Sequence, residues 1–136
     1  MLLHIPQLID QTQLDVILPA ISNAPFVDGK LSAGVTAQRV KNNTEVEQNS
    51  EIGQNLAKIL VGNLYNNHIF REATLPYRVA TPLFAKYEQG KSYGSHIDDP
   101  VMGGDGQKFR CDIAMTIFLS QADDYEGGEL CIQTQF

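Results

Sequence analysis

Residues 92–102 read SYGSHIDDPVM and hold the two side chains best suited to chemistry, His96 and Asp98. In a β-strand, residues two apart project to the same face, with Cα atoms about 7 Å apart. An imidazole nitrogen and a carboxylate oxygen so placed can meet on one divalent first-row metal ion. With one further histidine they form the 2-His-1-carboxylate facial triad, which leaves positions open for an oxidant and a co-substrate. The same His-x-Asp spacing also describes a hydrogen-bonded polar pair at a strand end, so the pair alone leaves both readings open.

The neighbouring residues narrow the choice. Tyr87, Gly90, Tyr93 and His96 recur every three positions, giving Y-x-x-G-x-x-Y-x-x-H-x-D. Gly90 lets the backbone turn tightly between two strands. A tyrosine on the preceding strand can reach the same cavity with its hydroxyl, although ordinary amphipathic packing also accounts for both rings. Further on, residues 110–120 (RCDIAMTIFLS) alternate. Cys111, Ile113, Met115, Ile117 and Leu119 form an apolar side fit to pack on helices. Arg110, Asp112, Ala114, Thr116 and Phe118 form a mixed side fit to line a polar cavity.

The elements that must position these residues follow from periodicity. Residues 7–21 place Leu8, Ile9, Val16, Ile17 and Leu18 roughly on one helical stripe, limited by Pro19. Asn49-Ser50 offers N-caps for a second helix, with Ile52, Leu56, Ile59, Leu60 and Leu64 at helical spacing and an end near Asn66-Asn67, where His68 takes a polar turn role. Residues 34–41 read as a short strand between these helices. After Leu75-Pro76 the period becomes two: residues 77–88 alternate, with Pro82 marking an edge position or a bulge. Residues 92–98, 110–120 and 128–133 are further strands. Helices first and short strands later predict one α+β domain over residues 1–136, with a mainly helical support (1–75) backing an antiparallel sheet or barrel (76–136).

Composition bounds the function. The chain has 136 residues, enough for one core, with 43% hydrophobic and 19% charged residues. No apolar run approaches the roughly 18–20 residues of a membrane helix, and the start MLLHIPQLIDQTQLD lacks the basic region of a signal peptide. The net charge is −6, and half of the sixteen acids, Asp105 among them, fall from Asp98 onward. They are either solvated loops or a cation-attracting mouth around His96, and the balance argues against nucleic-acid partners. No stretch follows the order of an EF-hand calcium loop. Cys111 and Cys131 lack zinc-site spacing and sit in apolar stretches, so buried, reduced thiols and a cytoplasmic location are expected.

Taken together, Tyr87-Glu88-Gln89-Gly90, Tyr93-x-x-His96-x-Asp98, the block from Arg110-Cys111 to Phe118-Leu119-Ser120, and Gly127-Gly128-Glu129-Leu130 resemble the iron(II)- and 2-oxoglutarate-dependent dioxygenases of the prolyl 4-hydroxylase type. The similarity is nearest to the bacterial PKHD-type hydroxylases, a group associated with iron uptake. The resemblance implies a double-stranded β-helix (jelly-roll) backed by helices. It implies that His96 and Asp98 are two iron ligands, that Tyr87 contacts 2-oxoglutarate, and that Thr116 and Phe118 lie on the pocket-lining strand. Fe(II), 2-oxoglutarate as co-substrate and ascorbate as reductant are the implied cofactors. The implied reaction hydroxylates an unactivated C–H bond of a small-molecule or peptidyl substrate, with succinate and CO2 as co-products.

The chain departs from that pattern in one respect. The family's third ligand is a histidine well beyond the aspartate, followed by a basic residue, yet the only histidines are His4, His68 and His96. The expectation is an N-terminal portion of such an enzyme, with the barrel incomplete and its open sheet edges prone to self-association. The alternative is a catalytically inactive remnant acting at most as a binding or interaction module.

Overall fold

The computed structural model describes residues 2–104 and 106–133; Asp105 lies outside them. Its first helix, α1 (Gln11–Ser22), begins later than the apolar stripe suggests. Asp10 is the reason: its carboxylate accepts from the Gln13 N–H at 2.8 Å, and the Gln13 side chain accepts from the Asp10 N–H. That reciprocal box satisfies two of the free N–H groups at a helix start. Pro19 lies in the last turn, three residues before the helix ends. The buried stripe is Leu14 and Ile17, whereas Val16 and Leu18 are exposed, a correction to the expected face.

The second helix, α2 (Glu51–Asn66), starts where the sequence places it, with the Ser50 hydroxyl accepting from the Gly53 N–H. Leu56, Ala57, Leu60 and Leu64 form its buried face. Gln13 of α1 and Asn63 of α2 exchange two amide hydrogen bonds of 3.0 Å, which fix the pairing of the two helices. His68 does not lie in a turn but opens a third helix, α3 (His68–Thr74), capped by the Asn67 side chain. This helix stops at Leu75, which takes a left-handed conformation. The following Pro76 disfavours the helical region for Leu75.

Between α1 and α2 the chain makes three short strands, of which only the approximate place of one was legible. These are β1 (Phe26–Asp28), β2 (Lys41–Asn42) and β3 (Thr44–Val46). The strand expected over residues 34–41 is instead a helical turn at Ala37–Arg39, with extended structure beginning only at Lys41. Later strands are β4 (Ala85–Lys86), β5 (Ser92–Tyr93), β6 (Val101–Met102) and β7 (Phe109–Arg110). All ladders among the described residues are antiparallel: β1-β3-β4, β2-β5 and β6-β7.

The long strands expected later in the chain are mostly absent as regular structure. Of residues 77–88 only Ala85–Lys86 pair, on the edge of the three-stranded sheet. Pro76 and Pro82 remove donors that a longer ladder would need. Of residues 92–98 only Ser92–Tyr93 pair, and of residues 110–120 only Arg110 joins a ladder. Residues 128–133 form none. A strand exists by pairing, and these stretches have no neighbouring strand among the described residues. The period-two pattern nevertheless acts in part: Ile117 and Leu119 pack against the core, while Ile113 and Met115 remain exposed.

The core joins Ile9, Leu14 and Ile17 to Leu56, Ala57 and Leu60, with Val46 of β3 and Phe84, just before β4, closing it. The protein is therefore α+β, three helices over small antiparallel sheets, with no closed barrel among the described residues. No helix among them is long and apolar enough to cross a membrane. Both cysteines are free, but Cys111 is half-buried and Cys131 exposed. Burial of those thiols was expected from strands that do not form. The solvent-accessible surface is 10470 Å², against about 7,000 Å² for a closed monomer of this mass. Open apolar side chains occur in both halves, Leu2, Leu31 and Val35 in the first and Ile97, Phe118, Leu130 and Ile132 in the second.

Candidate functional site

The site is built on a polar row along residues 41–45, where the chain runs from β2 into β3. Lys41, Asn43 and Glu45 stand two residues apart, so they share one face across β2 and β3. They are only 5%, 3% and 4% exposed, whereas Asn42 between them is exposed. Lys41 Nζ meets Glu45 Oε1 at 2.5 Å and donates to Ser32 Oγ at 2.8 Å. These residues were not singled out from the sequence. The signal was the alternation K-x-N-x-E, a strand whose inward positions are polar and which therefore faces a site rather than an oily core.

Register then brings the His-x-Asp segment to this row. Strand β5 pairs with β2 so that Tyr93 lies opposite Lys41. The Gly94 N–H extends the ladder to the Val40 carbonyl at 2.9 Å. Lys41 Nζ sits 5.0 Å from the Tyr93 ring centre. The His96 imidazole stacks on Tyr93, with centroids 3.7 Å apart and planes 12° from parallel.

His96 Nδ1 lies 2.7 Å from the Gly94 carbonyl oxygen. A carbonyl only accepts, so Nδ1 carries the proton and Nε2 faces Asp98, 3.2 Å from its Oδ1. This is how metal-binding histidines are commonly held, one ring nitrogen donating to a backbone carbonyl and the other left for the metal. Two cis donors on an octahedral ion with bonds of about 2.1 Å are roughly 3.0 Å apart. The pair thus suits a first-row divalent ion in donor type and separation, and the same contact equally accommodates an Nε2–H donating to the carboxylate. Among the described residues no group of three His, Cys, Asp or Glu side chains converges as a complete metal site. Asp99 is engaged otherwise: its Oδ1 accepts the Val101 N–H at 3.0 Å and closes a turn.

Tyr87 follows β4 by one residue and remains about half exposed. Partial burial raises its phenol pKa; the Asn43 side chain offsets some of this and the Glu45 charge adds to it. Tyr93 is raised too, by burial first, then by the charge of Asp98, with Tyr87 and Glu45 contributing. Tyr93 therefore lies within electrostatic reach of Asp98, Tyr87 and Glu45, and Tyr87 within reach of Glu45, and both hydroxyls stay protonated donors at neutral pH. The Asn43 amide lies toward Tyr87, yet neither of its polar atoms makes a hydrogen bond of good geometry among the described residues.

Gly29 is what makes room for Asn43. A Cβ at Gly29 would fall 1.9 Å from Asn43 Oδ1. Gly29→Ala is expected to cost about 1–3 kcal/mol, as overpacking in a tight interior does. The midpoint of urea unfolding measures it.

Thr116 and Phe118 are both exposed, within residues 111–119 that have no regular structure. Two shallow grooves lie elsewhere, on the helices. One is lined by Gln54, Ala57, Lys58, Val61, Val79 and Thr81, the other by Thr12, Gln13, Val16, Ile17 and Ile59. Neither holds a convergent set of ionisable groups, so the chemistry, not the concavity, marks His96 and its neighbours as the site.

No family model matches the chain. It is 43% identical over 136 residues to a PKHD-type hydroxylase of Thioalkalivibrio sulfidiphilus, covering 100% of this chain and 61% of that protein. It is 42% identical over 134 residues to a PKHD-type hydroxylase of Rippkaea orientalis, covering 98% of this chain and 60% of that protein. A PKHD-type hydroxylase of Saccharophagus degradans is 38% identical over 138 aligned positions, covering 100% of this chain and 61% of that protein. The chain thus spans about 60% of the length of these curated relatives.

Proposed function

We propose that the chain belongs with the PKHD-type hydroxylases to which it is similar, and that it is part of an iron- and 2-oxoglutarate-dependent hydroxylase with His96 and Asp98 as two of the iron ligands. The observation that carries this reading is the convergence of His96 Nε2 and Asp98 Oδ1, with Nδ1 held by the Gly94 carbonyl. Iron with 2-oxoglutarate and dioxygen supplies oxidation of a C–H bond to the alcohol, with release of succinate and CO2; ascorbate keeps the metal ferrous. The protein's own residues bind and orient. His96 and Asp98 would hold the metal, and the protonated Tyr87 hydroxyl would donate to 2-oxoglutarate. In the closed fold Thr116 and Phe118, exposed here, would line the pocket wall.

The excess surface supports the further proposal that the complete fold is a jelly-roll. In it, residues contributed by the rest of the protein close the sheet, supply a third ligand and a cation for the far carboxylate, and bury the open edges. The isolated chain would then self-associate through those edges. The free cysteines suit a cytoplasmic setting. A second reading, a non-catalytic module, draws on the lack of a third converging donor among the described residues.

One titration separates the two readings. Fe(II) and 2-oxoglutarate are added anaerobically to the 136-residue chain while the visible metal-to-ligand charge-transfer band is followed. A band that disappears in His96→Ala supports the hydroxylase site. A folded chain that gives no band supports the module.

A further inference from the structure

We propose that Tyr93 is a positioning residue for His96, braced from behind by the buried Lys41–Glu45 pair; the proposal rests on the reading of His96 as a metal ligand. His96 lies beyond the end of β5, where the backbone has no ladder to hold it. Its side chain is nevertheless only 22% exposed, against 68% for Asp98. Two contacts account for the difference. The Gly94 carbonyl fixes the tautomer and one in-plane direction. The Tyr93 ring, 3.7 Å away and nearly parallel, fixes the plane itself.

Tyr93 can serve as a platform because it is itself held. Its backbone is in the β2–β5 ladder opposite Lys41. Its ring receives the Lys41 ammonium at 5.0 Å, a cation–π contact. Lys41 is locked in turn by Glu45 and Ser32. The result is a stack running from Glu45 and Lys41 through Tyr93 to His96, anchored in the interior at one end and carrying the metal-binding nitrogen at the other. Preorganisation of this kind acts on ligand affinity by removing the ordering cost of the imidazole. A burial role for Tyr93 would call only for bulk; a positioning role calls for a flat ring at this spot, with or without its hydroxyl.

The test combines ring NMR with Mn(II) binding followed by electron paramagnetic resonance. In the metal-free wild-type chain, the His96 ring protons are expected upfield of a free histidine, and the imidazole rigid by nitrogen relaxation. Unshifted signals or a mobile ring overturn the proposal without any variant. Tyr93→Phe keeps the ring and is expected to retain both the shift and the Mn(II) affinity. Tyr93→Leu is expected to lose the shift and weaken Mn(II) binding roughly tenfold, the lower end of what losing an outer partner of a metal ligand costs. Unchanged affinity in folded Tyr93→Leu overturns the proposal, as does an equal loss in Tyr93→Phe, which would assign the role to the hydroxyl. Failure of the underlying reading has a different signature: His96→Ala binds Mn(II) as the wild type does. In that case the ring shift still decides the brace.

Discussion

Lys41→Met is expected to destabilise the protein by about 3–5 kcal/mol, the usual cost of removing one partner of a buried ion pair. Lys41 and Glu45 have side chains only 5% and 6% exposed, and Lys41 is the ammonium in contact with the Glu45 carboxylate. Met fills the volume of the Lys stem but leaves the Glu45 carboxylate without its cation where it is only 6% exposed. That loss is a large share of the roughly 5–15 kcal/mol stability of a typical domain. The double variant Lys41→Met with Glu45→Leu is expected to recover most of it, because the cost lies in the unpaired charge and not in the absence of the pair. Urea unfolding of the wild type, the two single variants and the double variant closes the cycle. Equal destabilisation by Lys41→Met and by the double variant would refute the argument.

Asp98→Ala is expected to abolish the Fe(II)–2-oxoglutarate charge-transfer signal, while Asp99→Ala leaves it in place. The two carboxylates are adjacent in sequence and differ in what they touch. Asp98 Oδ1 faces His96 Nε2 at 3.2 Å, whereas Asp99 Oδ1 is spent on the Val101 N–H. Losing an outer partner of a ligand commonly costs 10–100-fold in metal affinity, so loss of the ligand itself should exceed about a hundredfold. Removing Asp99 frees one turn N–H that solvent can satisfy. Parallel anaerobic titrations of both variants decide the matter, and a signal lost in Asp99→Ala but kept in Asp98→Ala would exchange their roles.

Where the code is local, the sequence was readable. Ser50 followed by an apolar 3.6 period specified α2 almost to the residue, because both cap and face are set within a few positions. The His96/Asp98 pair stood out for the same reason, as two donor side chains on one short segment. The strands were not. Residues 110–120 carry a strong alternation, but alternation states only which side chains share a face. It does not state that a partner strand lies alongside, and among the described residues only Arg110 of that stretch finds one. The expected helical stripe through Val16 and Leu18 failed more quietly, since α2 packs against the Leu14 and Ile17 side of α1.

By itself, then, the sequence determined the family resemblance, the helix α2 with its cap, and the two donors that make a metal site conceivable, all of which depend on residue type and short spacing. Only the tertiary structure decided that Lys41, Asn43 and Glu45 form a buried polar row. It also decided that Tyr93 lies between that row and His96. Those facts depend on the β2–β5 register, which pairs residues 52 positions apart (Lys41 with Tyr93). No local pattern encodes that pairing; it follows from which strands can satisfy one another's backbone groups once the helices have closed the core.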